Sequence, residues 1–151
     1  MVNGYPNDGY EIVYPTIHAD GTIYFTSWTR PGPHKGDIFV CTTQDGRYVE
    51  PKRVDELNSK HNDADPEMTR DGKFMFIASM RKGGLGHYDL YLFKRRRDGK
   101  WGEGINSGPK VNSGNMDSDP FFYQMVRRFI FQVIDWMSLN LTVKPLKITK
   151  L

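Results

Sequence analysis

The residues of this chain with the greatest capacity for chemistry are two pairs of aspartates, Asp63 with Asp65 and Asp117 with Asp119. Carboxylates suit calcium, but calcium takes about six to eight oxygen ligands, often from a spaced Asp-x-Asp-x-Asp-Gly loop. The sequence lacks that loop, and each pair stands shortly before an expected strand. We therefore predict that these aspartates cap turns and accept hydrogen bonds from the backbone.

Catalytic and cofactor motifs are absent from the sequence. Ser27 and Ser79 do not lie in a Gly-x-Ser-x-Gly elbow. The single cysteine, Cys41, excludes an internal disulfide and any cysteine-based zinc site. The histidines do not share a metal-binding spacing; they are His18, His34, His61 and His87. We expect no catalytic, cofactor-binding or metal-binding residue.

The elements that position these residues come from an internal repeat. The segment 20–27, which begins with Asp20-Gly21, recurs as 71–79, which begins with Asp71-Gly72. Three further elements recur in the same order 52 to 54 residues later. Asp37 in Asp-Ile-Phe corresponds to Asp89 in Asp-Leu-Tyr, and Asp45-Gly46-Arg-Tyr corresponds to Asp98-Gly99-Lys-Trp101. Asp65-Pro66 corresponds to Asp119-Pro120, and Tyr14-Pro15 is the same element one repeat before Asp65-Pro66.

Each repeat predicts four antiparallel strands. A short strand follows the proline, an Asp-Gly turn leads to an apolar strand, and a Gly-rich connection leads to a third strand. A second Asp-Gly turn then makes a hairpin into an outer strand. Four strands per fifty-odd residues, radially repeated, are typical of β-propeller blades. We also predict that Arg30 pairs with Asp37 and Arg81 with Asp89, tying each connection.

These motifs resemble a known family. The order of motifs resembles the TolB-type, WD40-like β-propeller repeat. That order is Pro, then Asp-Gly, then an apolar Tyr-Phe-x-Ser run ending near Arg, then Gly-x-x-Asp-Ile/Leu-Tyr, and finally Asp-Gly-x-Trp. The resemblance covers residues 14–122 and departs at Ser107, where relatives more often carry Leu. It implies an all-β propeller fragment of about two blades plus the start of a third, in residues 1–122. It also implies a periplasmic or extracellular parent protein, although the chain starts without a signal peptide.

Residues 123–151 depart from the repeat. Read one base out of frame, codons compatible with this segment permit Pro-Asp-Gly-Lys-Lys-Ile-Tyr-Phe-Ser-Ser-Asp-Arg-Leu-Asp, which restores the next turn and strand. We hypothesise that a one-base slip near Phe122 produced an out-of-frame tail, irregular or helical. The alternative is a natural C-terminal extension that covers a sheet edge. An incomplete ring would leave blade edges unpaired and open to self-association.

Charge and composition narrow the partners. The chain has a net charge of +3, and residues 123–151 carry +4, so the first 122 residues carry −1. The first 122 residues therefore offer no basic surface for nucleic acid. No run of eighteen apolar residues predicts a membrane span. We expect a non-catalytic scaffold or recognition module with an unknown protein, peptide or carbohydrate ligand. The alternatives are the propeller region of a hydrolase or polysaccharide lyase, and an expressed pseudogene product without activity.

Overall fold

The computed structural model describes residues 9–33, 36–121, 128–135 and 140–147, and their fold is all-β. The first repeat begins with β1 (Val13–Ile17), β2 (Ile23–Ser27) and β3 (Asp37–Cys41). A small ladder of β4 (Thr43–Gln44) and β5 (Arg47–Tyr48) follows, and then β6 (Lys52–Arg53). The first sheet has the order β1-β2-β3-β6, with every pair antiparallel.

The second repeat forms an equivalent second sheet. Its strands are β7 (Asp63–Met68), β8 (Phe74–Ser79), β9 (Asp89–Lys94) and β10 (Ile105–Asn106), in the order β7-β8-β9-β10. All three pairs are antiparallel. The prediction of one four-stranded antiparallel sheet per repeat is therefore confirmed.

The outer strands differ from the prediction in one respect. The Asp45-Gly46 turn joins only the β4–β5 ladder, and its counterpart at Asp98-Gly99 closes a single bridge between Arg95 and Trp101. The fourth strand of each sheet begins several residues later. Asp45 and Gly46 both have positive φ, as a tight two-residue hairpin turn requires, so the chain folds back locally before it reaches the sheet edge.

The two sheets pack face to face around a shared core. Tyr24 and Ile38 of the first sheet pack with Met75 and Ile77 of the second, and all four are buried. Trp101 closes this core, with its ring edge-on to Tyr24 at a centroid distance of 6.0 Å. Because β2 is buried on both faces along its whole length and β8 along nearly all of it, their near-continuous apolar sequences suit an interior position.

The described residues of the tail, 128–135 and 140–147, are strands. β11 (Pro120–Phe121), β12 (Arg128–Asp135) and β13 (Asn140–Lys147) form a third antiparallel sheet in that order. The expectation of a helical or irregular segment is therefore wrong for the described residues. The sequence of β12 is rich in aromatic and β-branched residues, which favour strands. Eight residue pairs join β12 to β13, so this ladder runs along the whole length of β12.

Candidate ligand-binding site

The first strands of the three sheets converge on one concave surface. A cavity of about 240 Å³ lies between the three Xaa-Pro elements and is lined by Tyr14, Pro15, Asp65, Pro66, Glu67, Asp119 and Pro120. The sequence repeat places these elements at the same position of successive sheets. The cavity is therefore the place where equivalent residues of three sheets meet.

Each Xaa-Pro element carries an unusual backbone conformation. Tyr14, Asp65 and Asp119 have φ of 49°, 53° and 50°, in the left-handed region that residues with a Cβ seldom occupy. In β1 and β7 the pairing register shifts across this element, which is a β-bulge. A bulge turns a side chain out of the regular alternation. Strained conformations of this kind cost roughly 1 to 3 kcal/mol each and cluster at ligand sites.

A second cavity adjoins the first and adds aromatic rings. It measures about 130 Å³, and Tyr14, Asp65 and Asp119 line it together with Trp28 and Tyr88. Tyr14 and Trp28 meet edge to face, with ring centroids 6.4 Å apart. Asp65 and Asp119 therefore border both cavities, with aromatic side chains on one side and prolines on the other.

Asp65 is the most unusual residue of this site. Only 8% of it is exposed, and its backbone N–H donates to Thr26 Oγ1 at 3.0 Å. Its Oδ2 accepts the backbone N–H of Asp119 at 3.3 Å. Its Oδ1 is buried and has no hydrogen-bond partner. Ala78 occupies the position in the second sheet that Thr26 occupies in the first, and alanine has no hydroxyl to accept a hydrogen bond. The Thr26 hydroxyl accepts the backbone N–H of Asp65, and at the next sheet the Asp65 carboxylate itself accepts the equivalent N–H of Asp119.

The electrostatics of the site are anionic. Burial, and then the neighbouring charge of Asp119, raises the pKa of Asp65 to about 6. Burial also raises the pKa of Tyr14 and of Tyr88, and nearby carboxylates raise both further. No Lys or Arg lies among the described residues that line the two cavities. Around pH 7 the Asp65 carboxylate is therefore mostly ionised, and the described residues that line its two cavities supply no Lys or Arg to pair with it.

Asp63 and Asp117 behave as the sequence predicts. Asp63 accepts the backbone N–H of Ser59, and Asp117 accepts the backbone N–H of Ser113 at 2.6 Å. Both side chains are fully buried. The prediction that all four aspartates cap turns is confirmed for these two. It is wrong for Asp65, which accepts the backbone N–H of Asp119 from another sheet, and Asp65 and Asp119 border the cavities.

Three of the four Asp-Gly turns show the same side-chain bond. Asp20, Asp71 and Asp98 each accept the backbone N–H two residues later, over distances of 2.8 to 3.1 Å. The fourth aspartate, Asp45, instead adopts a positive φ itself. The glycines of all four turns have positive φ; they are Gly21, Gly46, Gly72 and Gly99. The turns are structural elements and lie outside the cavities.

The predicted ion pairs are wrong in both repeats. Asp37 binds Arg53 through a two-point contact, with Nε to Oδ2 at 2.9 Å, and does not bind Arg30. The Arg30 guanidinium lies over the Phe25 and Phe39 rings instead. Arg53 comes from β6, the strand that pairs with β3 on its other side, and the spacing of Arg30 and Asp37 along the chain does not reveal this partner.

In the second repeat, Arg81 binds Asp63 at 2.7 Å and lies over Tyr91 and Phe93. Asp89 accepts the backbone N–H groups of Leu85 and Gly86 and a side-chain N–H of Asn106. Asp89 therefore caps the Gly-rich connection, and the arginine crosses to the first strand of the sheet.

The remaining polar residues do not assemble a metal centre. Among the described residues, no group of three His, Cys, Asp or Glu side chains has metal-binding geometry. His18 Nδ1 lies 3.1 Å from Asp20 Oδ1, and His34 lies outside the described residues. Within the described ranges, no helix is long and apolar enough to cross a bilayer.

Comparison with known proteins leaves the site to be interpreted from its own geometry. No protein-family model matches the chain, and no curated protein matches it.

Sequence reasoning found the elements of the site but missed the site itself. The recurrence of Tyr14-Pro15, Asp65-Pro66 and Asp119-Pro120 is visible in the sequence, and it was the available signal. The positive φ values, the bulges and the unpartnered Oδ1 are properties of the folded backbone. Trp28 and Tyr88 come from connections that no motif links to these prolines.

Proposed function

We propose that this chain is a non-catalytic recognition module of the TolB-type propeller class, which binds a ligand where the first strands of its sheets converge. The observation that carries the proposal is the buried Asp65 carboxylate, whose Oδ1 has no partner and which borders two cavities. A buried carboxylate oxygen without a hydrogen-bond partner is costly, and a bound ligand that donates to it would remove that cost.

The backbone supports the same conclusion. Three successive sheets present a strained Xaa-Pro element to the same cavity. Two of the three elements supply carboxylates, and the third supplies the aromatic ring of Tyr14. Ligand sites are concave and combine apolar walls with few polar groups, as the prolines and aspartates do here. By resemblance, we place the parent protein in the bacterial envelope or outside the cell.

A second candidate is the propeller region of a hydrolase or lyase that acts on polysaccharide. One observation favours it: a carboxyl with a pKa near 6 beside a second carboxyl is the arrangement of a general acid with its partner. The recognition module ranks first, because Asp65 Oδ2 already accepts the Asp119 backbone N–H and this bond fixes the carboxyl.

A binding and turnover assay separates the two candidates. The ¹⁵N-labelled chain is mixed in turn with N-acetyl-argininamide, cellotriose, oligogalacturonate and a proline-rich peptide, and both NMR shifts and product formation are recorded. We expect at least one probe to shift the Trp28 indole signal without being converted. The Trp101 indole, which lies in the core, is the internal control. Conversion of either saccharide would support the enzyme, and no shift with any probe would contradict the recognition site.

A further inference from the structure

The cavity chemistry identifies a class of ligand, an inference that rests on the proposed recognition function. We propose that the Asp65 cavity binds the guanidinium or ammonium head group of an organic cation. The unpartnered Oδ1 of Asp65 supplies an acceptor, and a cationic N–H donor is the group that best satisfies a buried carboxylate.

The walls of the cavity fit a cation that carries carbon. Tyr14, Trp28 and Tyr88 line the second cavity together with Asp65 and Asp119, so aromatic surface lies on one side of the carboxylates. Aromatic rings attract guanidinium and ammonium groups through their negative faces, and tryptophan does so most strongly. An inorganic metal ion is a poorer match, since no described trio of His, Cys, Asp or Glu assembles there.

The dimensions of the cavities fit a head group rather than a whole ligand. Their volumes are about 240 and 130 Å³. Sites that enclose a drug-sized molecule measure roughly 300 to 1,000 Å³. The remainder of the ligand would therefore lie outside, as it would for an arginine or lysine side chain carried by a peptide.

The chain itself uses this combination of groups elsewhere. Arg81 binds Asp63 and lies over Tyr91 and Phe93, with its guanidinium carbon 4.9 and 5.1 Å from the ring centroids. A carboxylate with flanking aromatic rings thus holds a guanidinium inside the second sheet. At Asp65 the carboxylate and the rings are present, and an external cation would supply the guanidinium.

Binding should depend on pH, because a cation needs the ionised carboxylate. The pKa of Asp65 is about 6 in the free protein. Four titratable groups share its cavities, namely Glu67, Asp119, Tyr14 and Tyr88, and the charge of Asp119 also raises the pKa of Asp65 directly. Lowering the pH from 7.5 to 5 should weaken cation binding about tenfold.

The test is an NMR titration of the full chain with N-acetyl-argininamide, whose only charge is the guanidinium. We expect its Trp28 indole shift to saturate, whereas N-acetyl-citrullinamide, the neutral isostere, leaves the signal unmoved. Asp65→Asn should weaken binding about 30-fold or more, as expected when one partner of a buried charge pair is neutralised. Asp98→Asn makes the same charge change on an exposed turn and should bind as the wild type does.

Other outcomes would overturn the proposal. Equal shifts with N-acetyl-citrullinamide, an unchanged affinity in Asp65→Asn, or saturation of the site by calcium chloride at lower concentration would each do so. If cellotriose moves the Trp28 signal and N-acetyl-argininamide does not, the recognition function stands and the cation is excluded. If no probe moves the Trp28 signal, the recognition function and the cation proposal both fail.

The source of the cation is settled by a second probe. Acetyl-Gly-Arg-Gly-amide presents the same guanidinium on a peptide backbone. Tighter binding of this tripeptide would support a peptide ligand, and equal binding would support a free organic cation.

Asp119→Asn is the second variant. Because Asp119 is more exposed than Asp65, we expect this change to weaken the binding of N-acetyl-argininamide by a few fold.

Discussion

Two buried carboxylates at the start of β7, Asp63 and Asp65, have opposite surroundings. Asp63 accepts hydrogen bonds from Ser59, Ser79 and Arg81, and its surroundings supply both a cation and a backbone donor. Asp65, two residues further on, accepts only the Asp119 backbone N–H and keeps one oxygen without a partner. The first carboxylate holds the sheet together, whereas the second is left with unused capacity for an interaction.

The difference follows from the bulge between the two residues. In a regular strand, residues i and i+2 face the same side. The positive φ at Asp65 and the register shift between Ala64 and Glu67 break that alternation. Asp63 therefore faces Arg81 within the sheet, while Asp65 faces the cavity among three sheets.

The largest effect is expected from Asp63→Asn. This change removes the partner of a partly buried guanidinium and should destabilise the chain by about 3 kcal/mol, because breaking a buried ion pair leaves its other member uncompensated. Urea denaturation measured by fluorescence tests it. A change below about 1 kcal/mol would mean that Asp63 is not structural, and the comparison would fail.

The opposite sign is expected from Asp65→Asn. Its pKa rises from 3.8 to about 6 on folding, which corresponds to roughly 3 kcal/mol of strain on the charged form at pH 7. The amide keeps the oxygen that accepts the Asp119 N–H, so we expect stabilisation of about 1 to 3 kcal/mol. A carboxylate that lowers stability yet lines a cavity is typical of a site kept for function.

The pH dependence is the control for that variant. Between pH 4 and 6 the native state holds the Asp65 proton more tightly than the unfolded state, so this group's contribution to stability is full below about pH 4. The contribution is lost as the pH rises through 6. The advantage of Asp65→Asn should therefore grow from pH 4 to 7 and vanish below pH 4. A constant difference across this range would contradict the assigned cause.

The smallest effect is expected from Thr26→Val. This change removes the hydroxyl that accepts the Asp65 backbone N–H and should cost about 1 to 2 kcal/mol, the price of a buried donor left without a partner. Thr26→Ser keeps the hydroxyl and is the matched control. Equal stability of Thr26→Val and Thr26→Ser would show that this bond does not hold the strained backbone of Asp65.

Much of the fold follows from local rules. The Asp-Gly turns, the apolar strands after them and the four-stranded sheet of each repeat are confirmed. The tail was expected to be helical or irregular because it departs from the repeat, but its described residues, 128–135 and 140–147, form strands, in line with the β-branched and aromatic sequence of β12. The two arginine pairs were wrong, because proximity along the chain does not rank the carboxylates that folding brings near a guanidinium.

The sequence by itself determined the repeat, the turn positions and the residue types at each equivalent place, because these depend on local backbone preference and on the alternation of apolar residues. Only the tertiary structure decided which aspartate is satisfied and which is not. Asp63, Asp65, Asp117 and Asp119 are alike as residues. Their roles differ because a hydrogen-bond partner is a property of position in space, set by the bulge in β7 and by the packing of neighbouring sheets.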